Sequence, residues 1–360
     1  MNLRICLCLV LIVYTESCKK AAVEQRAAEV KRFGDDVYSD EANSTNNGDD
    51  YDYDDVTAII DENPDDEDDS SDAFQDVEDE ELCRYYSDAP QSQKLPGAVI
   101  IGTKKGGTRA LLEFLNIHSK IKRAKNEIHF YDKNYSHGVN WYIDQMPPVA
   151  DGQIAMEKTP GYFHTPGVAR RMWSVNNKTK LIMIVRHPVT RLISDYNQFR
   201  SNNLARGEEY PDLESLVTTE NGDVDPSYPP VKRSQYHIHM SRWLEIFPAN
   251  QIHVVDGDKF IKTPWEEIKS LETFLDLEPE LTKDNFYFNS SKGFYCGRQE
   301  VKREDSEWGC ARTKCLSPSK GRPKPPVAPS LVSTLTKFFI PHNEKFFSLI
   351  GKHFDWNTIP

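Results

Sequence analysis

No stretch of the 360 residues is apolar for long enough to cross a membrane comfortably. A spanning helix needs about 20 apolar residues, and the longest run, Ile5 to Tyr14, is well short of that. The run has another use. Arg4 precedes it, and small and polar residues follow to Cys18, which is the layout of a signal peptide. Residues 1–18 are read as a signal peptide or a short signal anchor, so the remainder is expected in the secretory pathway. The pair Cys310-x4-Cys315 lacks a histidine at zinc-site spacing, which argues against a metal site. The nucleotide-loop pattern G-x-x-x-x-G-K-[ST] is also missing, which counts against an ATP-dependent kinase. No internal repeat is visible.

Basic residues are scarce at one end only. Residues 1–94 hold 8 Lys+Arg against 26 Asp+Glu, whereas residues 95–360 hold 36 against 30. The formal net charge of -12 therefore describes an acidic segment attached to a mildly basic domain, and a basic domain suits an anionic partner. From Asp35 to Glu81 the chain is rich in Asp, Glu, Ser and Asn and poor in apolar residues. Such a segment cannot bury enough surface to offset chain entropy, so residues 19–94 are expected to form an acidic, disordered stem.

The few cysteines fit the same compartment. Cys6 and Cys8 lie in the apolar run and Cys18 at its end, leaving Cys83, Cys296, Cys310 and Cys315. An even number in an oxidising lumen makes disulfides the default. Sequons begin at Asn43, Asn134, Asn177 and Asn289, in keeping with lumenal passage.

Order is expected over residues 95–360. Ala98–Gly102, Gln153–Glu157, Lys180–Val185 and Ile252–Val255 are short apolar runs of buried-strand type. Helical spacing predicts helices over Thr108–Ile117, Val189–Phe199, Val231–Phe247, Pro264–Leu275 and Pro329–Lys352. Strands alternating with helices indicate an α/β fold, a central parallel sheet flanked by helices.

Two motifs follow strands. Gly102-Thr-Lys-Lys-Gly-Gly-Thr-Arg109 joins the first strand to a helix. Glycines let the backbone turn tightly onto an anion, and a helix N-terminus offers free N–H groups to a phosphate. Arg186-His-Pro-Val-Thr-Arg-Leu-Ile-Ser-Asp-Tyr196 follows the strand ending at Val185. Arg186 stands at the crevice where α/β proteins bind ligands, in the place where a kinase would usually carry a magnesium-holding acid. An anionic ligand without a metal is the expectation. By themselves Glu127 reads as a surface acid and His129 as a satisfied histidine.

These motifs do not stand alone. Ala98–Leu112, Asn126-Glu-Ile-His-Phe-Tyr-Asp132, Tyr135-Ser-His-Gly138, Glu157-Lys-Thr-Pro160 and Arg186–Gln198 resemble the heparan sulfate glucosamine 3-O-sulfotransferases. So do Ile252-His-Val-Val-Asp-Gly-Asp258, Lys292-Gly-Phe-Tyr-Cys296, Ser319-Lys-Gly-Arg322 and the closing Phe346–Trp356. The resemblance runs in order through nearly all of residues 95–360 and leaves out the acidic stem.

The resemblance implies a sulfotransferase fold, a turn that binds the donor 3'-phosphoadenosine 5'-phosphosulfate without a metal, and a cleft for heparan sulfate. It implies neither a nucleic acid nor a stable protein partner, and it implies a Golgi lumenal setting. Lys105 matches the lysine on the phosphosulfate, with Gly106, Gly107, Thr108 and Arg109 completing the loop. Arg186 and Ser194 would hold the 3'-phosphate, and Tyr295 with Lys320, Gly321 and Arg322 would close over the nucleotide. Glu127 matches the catalytic base, while Lys105 and His129 would stabilise developing charge. Lys158 and Asp132 match acceptor-contacting or site-organising positions, and Gln198 with Lys104 would meet the chain's anionic groups. The family pairing implies Cys296–Cys315, leaving Cys83 and Cys310. Two positions depart from the pattern: Ser317 stands where a histidine precedes the Lys-Gly-Arg loop, and Lys125 replaces an acidic residue. Transfer to another heparan position, or heparan binding without catalysis, would share the same donor motifs.

Overall fold

The computed structural model describes residues 91–301, 310–316 and 326–360. The expected signal peptide, nearly all of the stem, Cys83, Ser317 and the Lys320, Gly321, Arg322 loop lie outside the described residues.

The chain runs β1 (Ala98–Gly102), α1 (Thr108–Leu115), β2 (Ile121–Arg123), α2 (Gly138–Asp144), β3 (Ile154–Lys158), α3 (Val168–Val175), β4 (Lys180–Val185) and α4 (Pro188–Ala205). It continues through α5 (Leu213–Val217), α6 (Pro229–Ser234), α7 (Tyr236–Leu244), β5 (Ile252–Asp256), α8 (Gly257–Lys262) and α9 (Pro264–Phe274). A second sheet, β6 (Phe286–Asn289), β7 (Phe294–Val301) and β8 (Cys310–Lys314), precedes the closing helix α10 (Pro329–Ile350).

The central sheet has the order β2-β3-β1-β4-β5 and every pairing is parallel. β1 is buried along its whole length, and so is β4 after its first residue. Side chains alternate across a strand, so Ala98 and Ile100 join Ile182, Ile184, Leu111 and Leu271 on one face. Val99 and Ile101 join Leu181, Met183, Trp243 and Phe346 on the other. This two-faced core is what the continuous apolar runs predict. A third cluster, with Val189, Leu192, Val231, Leu335 and Phe339, packs α4, α6 and α10 together.

The helix expected over Val231–Phe247 is two helices. Gln235 leaves helical geometry at φ -82°, ψ 64°, and its side chain donates to the Pro226 carbonyl at 3.2 Å. Just before it, the Ser234 hydroxyl is held by Arg191 (2.7 Å) and itself donates to the Pro188 carbonyl (3.1 Å). The break sets Tyr236 at the start of α7, where its hydroxyl donates to the Arg186 carbonyl at 3.0 Å. The antiparallel sheet β6-β7-β8 was not expected. Its Cys296 is joined to Cys315, with Cα atoms 4.6 Å apart, as the resemblance implied.

Candidate active site

The C-terminal ends of β3, β1 and β4, neighbours in the sheet, carry the predicted residues. Lys158 closes β3, Lys105 follows β1 and Arg186 follows β4. The turn after β1 is fastened to β4. The backbone N–H and hydroxyl of Thr103 both donate to the Ile184 carbonyl, at 3.0 and 2.9 Å. Gly106 N then donates to the Thr103 carbonyl at 2.8 Å. Gly106 fits only because it has no side chain, since a Cβ there would lie 2.4 Å from the Ile184 carbonyl oxygen. Lys105 takes a left-handed φ of 68°, which is unusual for a residue with a side chain. α1 then starts at Thr108 with no side-chain cap. A tight turn ending on uncapped N–H groups fits a phosphate-bearing donor.

Lys105 donates to the Gln198 amide oxygen at 3.2 Å, so two predicted residues from α4 and the turn meet. Lys104 lies over the Phe199 ring at 5.9 Å. Its carbonyl accepts from Arg191 at 3.3 Å, and Arg191 is bound to the buried Asp195 at 2.9 Å. Arg233 reaches the same carboxylate at 3.4 Å. These two guanidiniums hold the Asp195 carboxyl well below its usual range against the opposing effect of burial. Arg109 points along its helix to Glu113 at 3.1 Å, an acid that Arg123 shares at 3.1 Å.

Nε of Arg186 lies 3.5 Å from Asp258, an ion pair without hydrogen-bond geometry. A guanidinium at the C-terminal end of a strand fits an anionic ligand. Asp258 also accepts from the His187 backbone at 2.8 Å, so it aims the residue after β4. Gly257 lets β5 approach both motifs: a Cβ there would lie 2.5 Å from the Val185 carbonyl and 3.1 Å from that of Gly106. Neither Gly257 nor Asp258 had a role in the sequence reading, although both lie in a segment that carries the resemblance. Ser194 sits half-buried on α4. Tyr295, on β7, meets Trp265 edge to face at 5.5 Å.

The second cluster lies between β2 and α2, against the end of β3. Glu127 forms an ion pair with Lys158, and its other oxygen is 3.5 Å from Nε2 of His129. Nδ1 of His129 is 2.9 Å from Asp132. Lys158 is only 5% exposed, whereas a quarter of the Glu127 side chain (25%) remains open. Burial would raise the Glu127 carboxyl, but the Lys158 ammonium and the His129 ring hold it down at about 2. Burial would likewise lower His129, but Asp132 and Glu127 lift it to about 9. At neutral pH the cluster is therefore an open carboxylate flanked by two cations. Among the described residues no group of three or more His, Cys, Asp or Glu is arranged to hold a metal ion.

Comparison with known proteins identifies the family and the fold. The family described as "Sulfotransferase domain" matches residues 95–346. Heparan sulfate glucosamine 3-O-sulfotransferase 5 of Homo sapiens is 43% identical over 267 residues, covering 73% of this chain and 75% of that protein. Heparan sulfate glucosamine 3-O-sulfotransferase 6 of Mus musculus is 40% identical over 269 residues, covering 74% and 75%. A crystal structure of a sulfotransferase from Alicyclobacillus acidocaldarius shares the fold at a TM-score of 0.53 and 20% identity, over 74% of this chain and 100% of that one.

Proposed function

From the premise that this chain belongs to the heparan sulfate glucosamine 3-O-sulfotransferases, we propose that Glu127 is the base for sulfuryl transfer to a glucosamine 3-hydroxyl of heparan sulfate. The sulfuryl group comes from 3'-phosphoadenosine 5'-phosphosulfate. The observation that carries this reading is the Glu127, Lys158, His129, Asp132 cluster beside the donor turn.

The residues divide the work. Gly106, Gly107 and Thr108 would hold the phosphosulfate through backbone N–H groups, and Arg186 and Ser194 would hold the 3'-phosphate. Lys105 would balance charge left on the departing phosphate. Glu127 takes the proton of the 3-hydroxyl while the new S–O bond forms and the S–O bond to phosphate breaks. A carboxylate held at about 2 is always ionised but weakly basic. It suffices because the hydroxyl becomes strongly acidic once its oxygen has begun to bond to sulfur. His129, protonated up to about pH 9, would face the charge developing on the transferring group. The basic 95–360 domain and the Lys104 and Gln198 positions suit an anionic polysaccharide. The signal-like N-terminus and family membership support action in the Golgi lumen.

The direct test is transfer of labelled sulfate from the donor to heparan sulfate, followed by disaccharide analysis. Label on the glucosamine 3-hydroxyl is expected. Label on nitrogen or another hydroxyl would overturn the acceptor assignment, and no transfer by folded, donor-binding protein would overturn the activity.

A further inference from the structure

One buried acid has no part in the chemistry above. Glu157 is fully buried on β3, next to Lys158. Successive strand residues face opposite sides, so it turns away from Glu127. Its Oε1 accepts from the Tyr142 hydroxyl at 2.7 Å and the Tyr162 hydroxyl at 3.1 Å. Its Oε2 accepts from the Thr159 hydroxyl at 2.8 Å. Burial pushes the Glu157 carboxyl up, and these three donors oppose it.

Two of those hydroxyls do more than satisfy a carboxylate. With its O–H donating to Glu157, the Tyr162 oxygen accepts from the backbone N–H of Phe130 at 2.8 Å and of Tyr131 at 3.4 Å. The Thr159 oxygen accepts from the backbone N–H of His129 at 3.4 Å. Three successive amides of the segment carrying His129 and Asp132 therefore rest on hydroxyls whose protons one carboxylate directs. His129 stands at φ 50°, a left-handed conformation that a side-chain-bearing residue keeps only when its surroundings hold it. Tyr142 serves as a built-in contrast: it bonds the same carboxylate but, among the described residues, no amide of that backbone.

We infer that Glu157 is a positioning residue for sulfuryl transfer, acting through the Tyr162 and Thr159 hydroxyls to hold the 129–131 backbone so that Glu127, His129 and Asp132 converge on the acceptor hydroxyl. A carboxylate suits the task because it only accepts. An amide in its place offers a donor to one hydroxyl, which must then turn its own proton toward a backbone N–H. The inference rests on the Glu127 reading and is separable from it.

The test uses the full chain and compares Tyr162→Phe, Tyr142→Phe and Glu157→Gln. Each tyrosine variant removes one buried hydroxyl from the same carboxylate, and Tyr162→Phe also leaves the Phe130 and Tyr131 amides unpaired, so both should lower the melting temperature and Tyr162→Phe more. Only Tyr162→Phe and Glu157→Gln should lower kcat, by about 10- to 100-fold, the scale of a misplacement near 1 Å. The donor KM should stay within about two-fold, Tyr142→Phe should keep kcat within about two-fold, and the loss should be the same at every pH. The double variant of Glu157→Gln with Tyr162→Phe should be no slower than the slower single, as expected for residues acting as one unit. Equal kcat in the two tyrosine variants, or additive losses in the double variant, would overturn the inference. If Glu157→Gln does not fold, the tyrosine pair alone decides. Full activity in Glu127→Gln alongside an intact tyrosine split would remove the base and leave Glu157 positioning His129 and Asp132.

Discussion

At the scale of the residue, the site depends on charges that are far apart in sequence. Glu127 is held down at about 2 by the lysine that ends β3 and a nearby histidine. Replacing it by glutamine keeps the shape and removes the proton acceptor, so kcat should fall by about 100- to 10,000-fold, with donor binding unchanged by calorimetry. His129 gives a pH prediction. Its folded pKa, about 9, lies above the ordinary histidine value of 6.5, so its contribution to stability is complete below pH 6.5 and fades as pH rises through 9. Charge on the ring should be lost over the same window, giving an alkaline limb to kcat near pH 9. Asp132→Asn removes the hydrogen-bond partner that contributes most to raising that pKa. It should move the limb, and the ring's NMR titration, to lower pH together; an unmoved limb would show that another group sets it. The sequence singled out these residues only through the resemblance. Nothing in local spacing brings Glu127 to Lys158, 31 residues away, or shows that Tyr162 supports the segment before α2. Those contacts exist only once β2 lies beside β3.

At the scale of the element, the central sheet was legible because β1 and β4 are buried on both faces and so read as continuous apolar runs. β2 is three residues long and has too little pattern to detect. The small sheet was missed because β7 and β8 mix polar and charged residues into their runs and the sheet depends on the Cys296–Cys315 link and on packing of Phe286 against Phe114, 5.0 Å away. The divided helix at Gln235 shows tertiary bonds overriding a helical pattern, since Arg191 and Pro188 hold Ser234 where the helix would have continued. The turn after β1 was legible as glycines beside lysines, but its attachment to β4 was not. That attachment makes a definite prediction. Gly106→Ala places a methyl 2.4 Å from the Ile184 carbonyl, and backbone on both sides leaves little room to yield. The turn should move off β4, weakening donor affinity at least ten-fold by calorimetry and lowering the melting temperature. Tight donor binding in that variant would mean that the turn can reach its working shape without its bonds to Ile184.

At the scale of the whole molecule, charge is divided along the chain. The first 94 residues carry a large acidic excess, and the remainder is mildly basic. Heparan sulfate is itself a dense anion, so an acidic segment tethered to a mildly basic domain would compete with the acceptor for the same basic groups. The effective concentration of a tethered competitor is set by its linker and exceeds that of a dilute free one. Ser92 exchanges backbone hydrogen bonds with Val149, and Gln93 donates to Asp144 and Met146, so a deletion should stop before them. Removing residues 19–90 should then lower the acceptor KM several-fold at low ionic strength and leave kcat unchanged. The screening length is about 10 Å at 0.1 M salt and about 3 Å at 1 M, so the difference between full-length and shortened chains should shrink as salt is raised. A KM that is identical at low salt would show that the acidic segment stays clear of the acceptor. A difference that survives at high salt would point to steric cover by the segment and away from charge.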